Sequence, residues 1–297
     1  MRVIALLGAA LLTPVALLVG QQPTFRSAVN FVRLDVLATD HGRPIANLTS
    51  GDFEVTDNGV KQQVEAVIGE SAALDVVLTL DRSESVRGAT LNNLREAAEA
   101  TLDSLRPRDR AALLTFSDRV SLEAGLDSSL ESVREGIRRI RPEGATTLLD
   151  AIYGALSLPR DPARRLLVLL FTDGYDTNSW LTREAVVRAA KEADAVICSV
   201  ASRSEAMQAG PEKSFLDQLC EATGGETTTV EGRHALKPAF LAALERMRSR
   251  YLLTYYPAGV DQKPGWHELK VRLRARPGTV MVRSGYRVPD TPARRAR

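Results

Sequence analysis

Residues 74–85 read Leu-Asp-Val-Val-Leu-Thr-Leu-Asp-Arg-Ser-Glu-Ser, and this stretch decides the fold. Residues 74–80 form a mostly apolar, branched run of strand length. Such a run, without polar alternation, predicts a strand covered on both faces. Asp81 ends it, and Ser83 and Ser85 follow at a spacing of two. Outward from there, helix and strand patterns alternate. Residues 89–105 carry Leu91, Leu94, Ala98, Leu102 and Leu105 on one helical face. Residues 111–116 and 165–172 are further apolar strands, and 120–122 a short edge strand. Helices are expected at 130–140, 148–156 and 182–193, the last opened by Thr182 as N-cap. A strand at 195–200, a helix at 214–223 stopped by Gly224-Gly225, a strand at 226–230 and a helix at 235–250 complete the series. The expectation is an α/β fold: a doubly wound, mostly parallel sheet over 72–250, with helices on both faces.

The flanks are different. Residues 31–39 alternate like a half-buried strand, and 40–44 form a turn. Strands at 53–56 and 62–68 surround Asp57-Asn58-Gly59, a strong type I′ hairpin signal. Beyond 250, strands are expected at 251–256, 267–274 and 280–287, separated by Pro/Gly turns. Neither 25–70 nor 251–288 holds enough chain to bury a core alone. The two are expected to join as one β-sandwich; the alternative is two separate sheets lying on the central domain. The tail 289–297 is basic and expected to be disordered.

A chain of 297 residues suggests about two domains. Hydrophobic residues at 44% and charged residues at 26% exclude a wholly disordered chain and a polytopic membrane protein. A net charge of +2 leaves no electrostatic footprint for nucleic acid. After Met1-Arg2, residues 3–20 carry no charge and end at Gln21-Gln22-Pro23. Residues 1–20 read as a secretory signal peptide, which places the protein in the periplasm or outside the cell. The alternative is a retained anchor, the one route to membrane contact; Pro14 within the run argues for the signal. Cys198 and Cys220 read as two buried thiols in preference to a bridge, and neither has the neighbours of a catalytic thiol.

The chemistry gathers at strand ends. Asp81, Ser83 and Ser85 follow the first central strand, Thr172-Asp173-Gly174 follows the strand at 165–172, and Gly144-Ala145-Thr146-Thr147 opens a helix. Open α/β sheets place sites outside the carboxyl ends of their strands. Three loops therefore deliver Asp81, Ser83, Ser85, Thr146 and Asp173 to one place, with Thr147 as the alternative to Thr146. Oxygen donors of this kind suit Mg²⁺, Mn²⁺ or Ca²⁺ and not zinc or copper. A cation held partly through waters keeps an open position for an anionic oxygen from a partner.

These motifs resemble the von Willebrand factor type A domain and its metal-ion-dependent adhesion site. The resemblance covers about 74–250. It implies direct coordination by Ser83, Ser85 and Thr146, with Asp81 and Asp173 acting through water. It also makes Asp150 a loop brace. Arg82 and Glu84 depart from the family pattern, and Glu84 is expected to repel an incoming acid. The flanking β segments resemble exported bacterial proteins of this family described from acidobacteria.

Other residues have plainer readings. Asp176 is expected on a solvated rim, and Tyr175 and Trp180 either contact a partner or pack. His41, His234 and His267 are expected on the surface, and Arg138, Arg139 and Arg141 at a solvated helix end. The function expected is a non-enzymatic, metal-dependent module that binds an acidic residue of another protein. A metal-dependent phosphate-ester hydrolase is one alternative. It is disfavoured because no Asp-x-Asp pair, phosphate loop, nucleophile elbow or nearby His accompanies Ser83. An envelope-assembly component that binds through the sandwich is the other.

Overall fold

The computed structural model describes residues 31–69, 72–202, 211–231, 235–261 and 263–289. The expected leader, the tail from 290 and His234 lie outside the described residues.

The chain begins with β1 (Val32–Asp40), β2 (Arg43–Pro44), β3 (Phe53–Asp57), β4 (Val60–Gln62) and β5 (Ala66–Ile68). The central part follows as β6 (Leu74–Asp81), α1 (Ala89–Asp103), β7 (Arg110–Phe116), β8 (Val120–Ala124), α2 (Leu130–Arg139) and α3 (Leu148–Leu156). It continues through β9 (Arg165–Thr172), α4 (Arg183–Glu192), β10 (Ala195–Ser202), α5 (Pro211–Ala222), β11 (Thr227–Val230) and α6 (Leu236–Arg248). The last strands are β12 (Tyr251–Tyr255), β13 (Gly265–Leu273), β14 (Thr279–Met281) and β15 (Gly285–Val288).

The central sheet has the order β11-β10-β9-β6-β7-β8, parallel except for β8, which runs antiparallel to β7. β6 lies inside it, as the apolar run requires, and every residue of β6 and β9 is buried. One face is covered by α1, α2 and α6 through Leu94, Ile137 and Phe240. The other is covered by α3, α4 and α5 through Ile152, Val186 and Leu216. Local chemistry starts two of these helices: the Ser129 hydroxyl accepts the Ser132 amide at 3.1 Å, and Thr182 accepts the Ala185 amide at 3.3 Å.

The terminal segments interleave. One sheet runs β14-β1-β12-β5, with β2 beside β1, and the other runs β15-β13-β3-β4. Each sheet mixes early and late strands. Their facing side chains share one core, including Leu34, Phe53, Val55, Leu253, Tyr255 and Leu269. The β3–β4 turn has φ +46° at Asn58 and +80° at Gly59, the two positive angles of a type I′ hairpin.

Two strand expectations are corrected. Residues 62–68 do not form one strand: β4 and β5 belong to different sheets, and 63–65 turn the corner between them. The expected strand at 280–287 divides in the same way into β14 and β15. A strand that passes from one packed sheet to the other must break its ladder. His267 is also corrected. It is 2% exposed, in β13, where its Nδ1 lies 2.8 Å from Asp57 Oδ1. Tyr255 and Tyr286 donate to the other Asp57 oxygen at 2.9 and 2.7 Å. His41 is exposed, as expected.

Ion pairs, one of them buried, fix the sandwich to the central domain. Arg165, at the start of β9, is fully buried and pairs with Asp35 of β1. Arg33 and Arg283 both reach Asp194, at 3.5 and 3.4 Å. Cys198 and Cys220 are buried free thiols, and burial pushes both above the usual thiol range.

Candidate metal centre

β6 and β9 are parallel neighbours, with Leu80 opposite Phe171, so Asp81 and Asp173 emerge at the same sheet edge. Thr172 Oγ1 donates to Asp81 Oδ2 at 2.8 Å, and the Ser83 amide donates to Asp81 Oδ1 at 2.8 Å. Both Asp81 oxygens are thus engaged in holding the two strand ends. A short 3-10 turn at Glu84–Val86 then curls the chain back. It brings Ser83 Oγ within 3.0 Å of Ser85 Oγ, and Ser85 Oγ donates to Asp173 Oδ1 at 2.7 Å. Hydrogen bonds therefore join Asp81, Ser83, Ser85 and Asp173 in one cluster.

Thr146 reaches the same edge through its backbone. The Glu84 amide donates to Gly144 O at 3.2 Å, and the Glu143 amide donates to Arg82 O at 2.9 Å. Arg82 Nη1 pairs with Glu143 Oε1 at 2.5 Å. Arg82, a departure from the family pattern, thus clasps the loop that carries Thr146. Gly144 has φ +69°, and a Cβ there would collide with the Asp118 carboxylate, which accepts the Ala145 amide at 2.7 Å. Thr177 completes the frame: its Oγ1 accepts the Thr146 amide at 3.0 Å. Thr147 precedes α3, and its buried Oγ1 has no hydrogen-bond partner among the described residues.

Sequence reasoning missed Thr172, Glu143, Asp118 and Thr177. Each braces a site loop by pairing with a residue distant in the chain. Thr172 alone carried a local signal, a hydroxyl directly before the strand-terminal Asp173.

The electrostatics follow from burial. Asp81 is 0% exposed. Burial, aided by the nearby Asp173 charge, pushes its carboxyl up to about 6 against the opposing hydrogen bonds from Ser83 and Thr172. Burial also raises Asp173 above the ordinary carboxylate range. Two neighbouring carboxylates, both disfavoured as anions, are what a bound cation would relieve. The donors present fit a hard divalent ion: carboxylate and hydroxyl oxygens only. Among the described residues no group of three or more His, Cys, Asp or Glu side chains is placed to hold a metal. An ion at this edge would therefore depend on the hydroxyls.

The surrounding rim is ordered by carboxylates. Asp150 accepts the amides of Trp180 and Leu181, each at 3.0 Å, a loop brace. Asp176 is half-buried and not simply solvated: Oδ1 accepts from Ser179 Oγ at 2.5 Å and from the Leu149 amide at 3.3 Å. Trp180 stands 95% exposed beside a shallow cavity of about 400 Å³ lined also by Val120, Tyr153 and Leu181. Glu84 is exposed and paired with Arg87, so much of its expected repulsion is offset.

A sequence model of the von Willebrand factor type A domain matches residues 75–237. The chain belongs to this family. Inter-alpha-trypsin inhibitor heavy chain H4 of Sus scrofa is 27% identical over 168 residues, covering 53% of this chain and 17% of that protein. The chain thus spans less than a fifth of that relative's length. A von Willebrand factor type A structure from Catenulispora acidiphila superposes with TM-score 0.53 at 14% identity, over 85% of this chain and 75% of that one. Proximal thread matrix protein 1 of the mussel byssus, in a structure with a zinc-occupied MIDAS motif, gives TM-score 0.52 at 17% identity, over 64% and 49%. At such identities the likeness to these structures is one of fold. No helix among the described residues of this VWA-family chain is long and apolar enough to cross a membrane.

Proposed function

We propose that this VWA domain is a non-enzymatic, divalent-metal-dependent module that binds an acidic side chain of another protein. The observation that carries this reading is the hydrogen-bonded oxygen cluster of Asp81, Ser83, Ser85 and Asp173, with two desolvated carboxylates. Thr146 would complete the donor set from the clasped loop. Ser83, Ser85 and Thr146 would hold the ion directly, and Asp81 and Asp173 through water. When bound, the metal would supply a Lewis-acidic position open to an anionic oxygen. The chain's own part is to fix the hydroxyls, exclude bulk water below Asp81 and present the mouth at Ser85 and Asp173.

Neither described histidine attends Ser83 or Ser85, since His267 is held by Asp57 and His41 lies in the β1–β2 turn. That supports binding without turnover. Mg²⁺ is the proposed ion, with Mn²⁺ or Ca²⁺ as substitutes; the zinc in the mussel protein makes zinc a necessary comparison. The uncharged run at 3–20 supports an exported protein, periplasmic or extracellular.

Calorimetric titration with Mg²⁺, Mn²⁺ and Zn²⁺ tests the site. Asp173→Ala should lose measurable Mg²⁺ affinity; equal affinity in both proteins sinks the assignment. Screening of acidic and amidated peptides in Mg²⁺ and in chelator then tests the partner chemistry. Binding that survives chelation and Thr146→Ala moves recognition to the β-sandwich.

A further inference from the structure

A second concavity lies away from the metal edge, where the outer faces of α4 and α5 meet the β13–β15 edge of the sandwich. Its volume is about 640 Å³, within the range of small-molecule sites. Trp266 of β13 supplies flat apolar surface and Val187 adds to it, while Phe215 of α5 is 4% exposed and backs the cleft from the core. Trp266 is 39% exposed, with Lys191 Nζ 5.5 Å from its ring centroid. Arg183 lies in the same way over Phe215, at 5.6 Å.

The charge in this cleft is unbalanced. Arg183, Arg188, Lys191 and Arg287 line it, against Glu184 and Glu192. Glu192 faces Arg287 at 3.7 Å. The Glu184 carboxyl is held below its ordinary range by its own amide and the Thr182 hydroxyl at the start of α4, so it stays an anion there, and four cations still face only two carboxylates. Arg188 and Lys191 have no carboxylate partner among the described residues. An aromatic floor beside two uncompensated cations selects a ligand with an apolar body and an acid group.

We propose that this cleft is a binding site for a small amphipathic organic anion, its flat apolar body against Trp266 and Val187 and its acid group at Lys191 and Arg188. This site is independent of the metal centre. Its walls come from both the central domain and the sandwich, so occupancy would also tie the two together.

The probe is 1-anilinonaphthalene-8-sulfonate, which has an aromatic body and one sulfonate. Trp180→Phe leaves Trp266 as the sole tryptophan, because the chain has two. Saturable, one-to-one quenching of Trp266 fluorescence, unchanged by chelator or by Ser85→Ala, is the expected result. Lys191→Met keeps packing on Trp266 while removing the charge. Combined with Arg188→Gln, it should weaken binding at least about tenfold, the scale of a lost charge-assisted contact. The uncharged analogue N-phenyl-1-naphthylamine should bind wild type correspondingly weakly. Circular dichroism checks that each variant is folded. Absent or non-saturable quenching overturns the proposal, as does equal affinity of the folded double variant or of the neutral analogue.

Discussion

A buried carboxylate is costly as an anion, and Asp81 has no cationic side chain among its hydrogen-bond partners. Its folded-state value of about 6 lies above the ordinary 3.8. The sign follows. The protonated form is favoured by folding, so this contribution is complete below pH 3.8 and is lost as pH rises through about 6. At neutral pH and without metal, ionised Asp81 destabilises the fold. Asp81→Asn keeps the shape and removes the charge, the Thr172 hydroxyl turning its proton to the Gly174 carbonyl at 3.3 Å and accepting from the new amide. In chelator at pH 7.5 it should raise stability by on the order of 2–3 kcal/mol, read from urea unfolding. Added Mg²⁺ should stabilise wild type and leave this variant unchanged. A variant less stable than wild type in chelator would show that the charge is not the dominant cost.

Loops and strand pairs depend on backbone constraints at single positions. Gly144 must hold φ +69° against Asp118 for the Glu84–Gly144 bond to form. Gly144→Ala should displace the Thr146 loop and weaken Mg²⁺ about tenfold or more, while strain at a positive φ costs about 1–2 kcal/mol of stability. Calorimetry and thermal unfolding separate the two effects. In the sandwich, Asp57 binds β3 to β12, β13 and β15 through Tyr255, His267 and Tyr286. Asp57→Ala leaves the buried Tyr255 hydroxyl without its acceptor and leaves His267 only the half-buried Tyr286 hydroxyl, 3.2 Å away, and the expected loss is about 2–3 kcal/mol. Unchanged urea midpoints in this variant would mean that water replaces the carboxylate.

Across the whole molecule, the sandwich and the central domain are joined by charges inside the junction. Arg165 is fully buried, bonded to Asp35 and to the Met247 carbonyl at 3.0 Å, and Arg250 donates to the Asp35 carbonyl at 3.3 Å. Breaking such a pair from one side strands a buried charge. Asp35→Ala should therefore cost about 3–5 kcal/mol. It should also broaden or divide the calorimetric transition, because it removes one of the ion pairs that couple the halves, with Arg33 and Arg283 still reaching Asp194. A single transition at the wild-type temperature would show that other junction contacts suffice.

The central sheet was legible because its strands are continuous apolar runs and its helices carry apolar stripes, and both are local patterns. The Asn58-Gly59 hairpin was legible because two positive φ angles need those residue types. Asp81, Ser83, Ser85, Thr146 and Asp173 were nameable as candidates because parallel strands deliver their following loops to one edge. The rest was not local. The sandwich strands at 62–68 and 280–287 break where the chain changes sheets, and composition does not mark that corner. His267 looked like a surface residue beside a turn; its partner Asp57 lies 210 positions away in the chain. The Arg82–Glu143 clasp, the Arg165–Asp35 junction and the cleft at Trp266 likewise join distant segments. Periodicity and turn chemistry are set by neighbours along the chain, so the sequence determined the elements and the donor types. Buried charge partners and the positions of bracing groups are set by how those elements pack, and only the tertiary structure decided them.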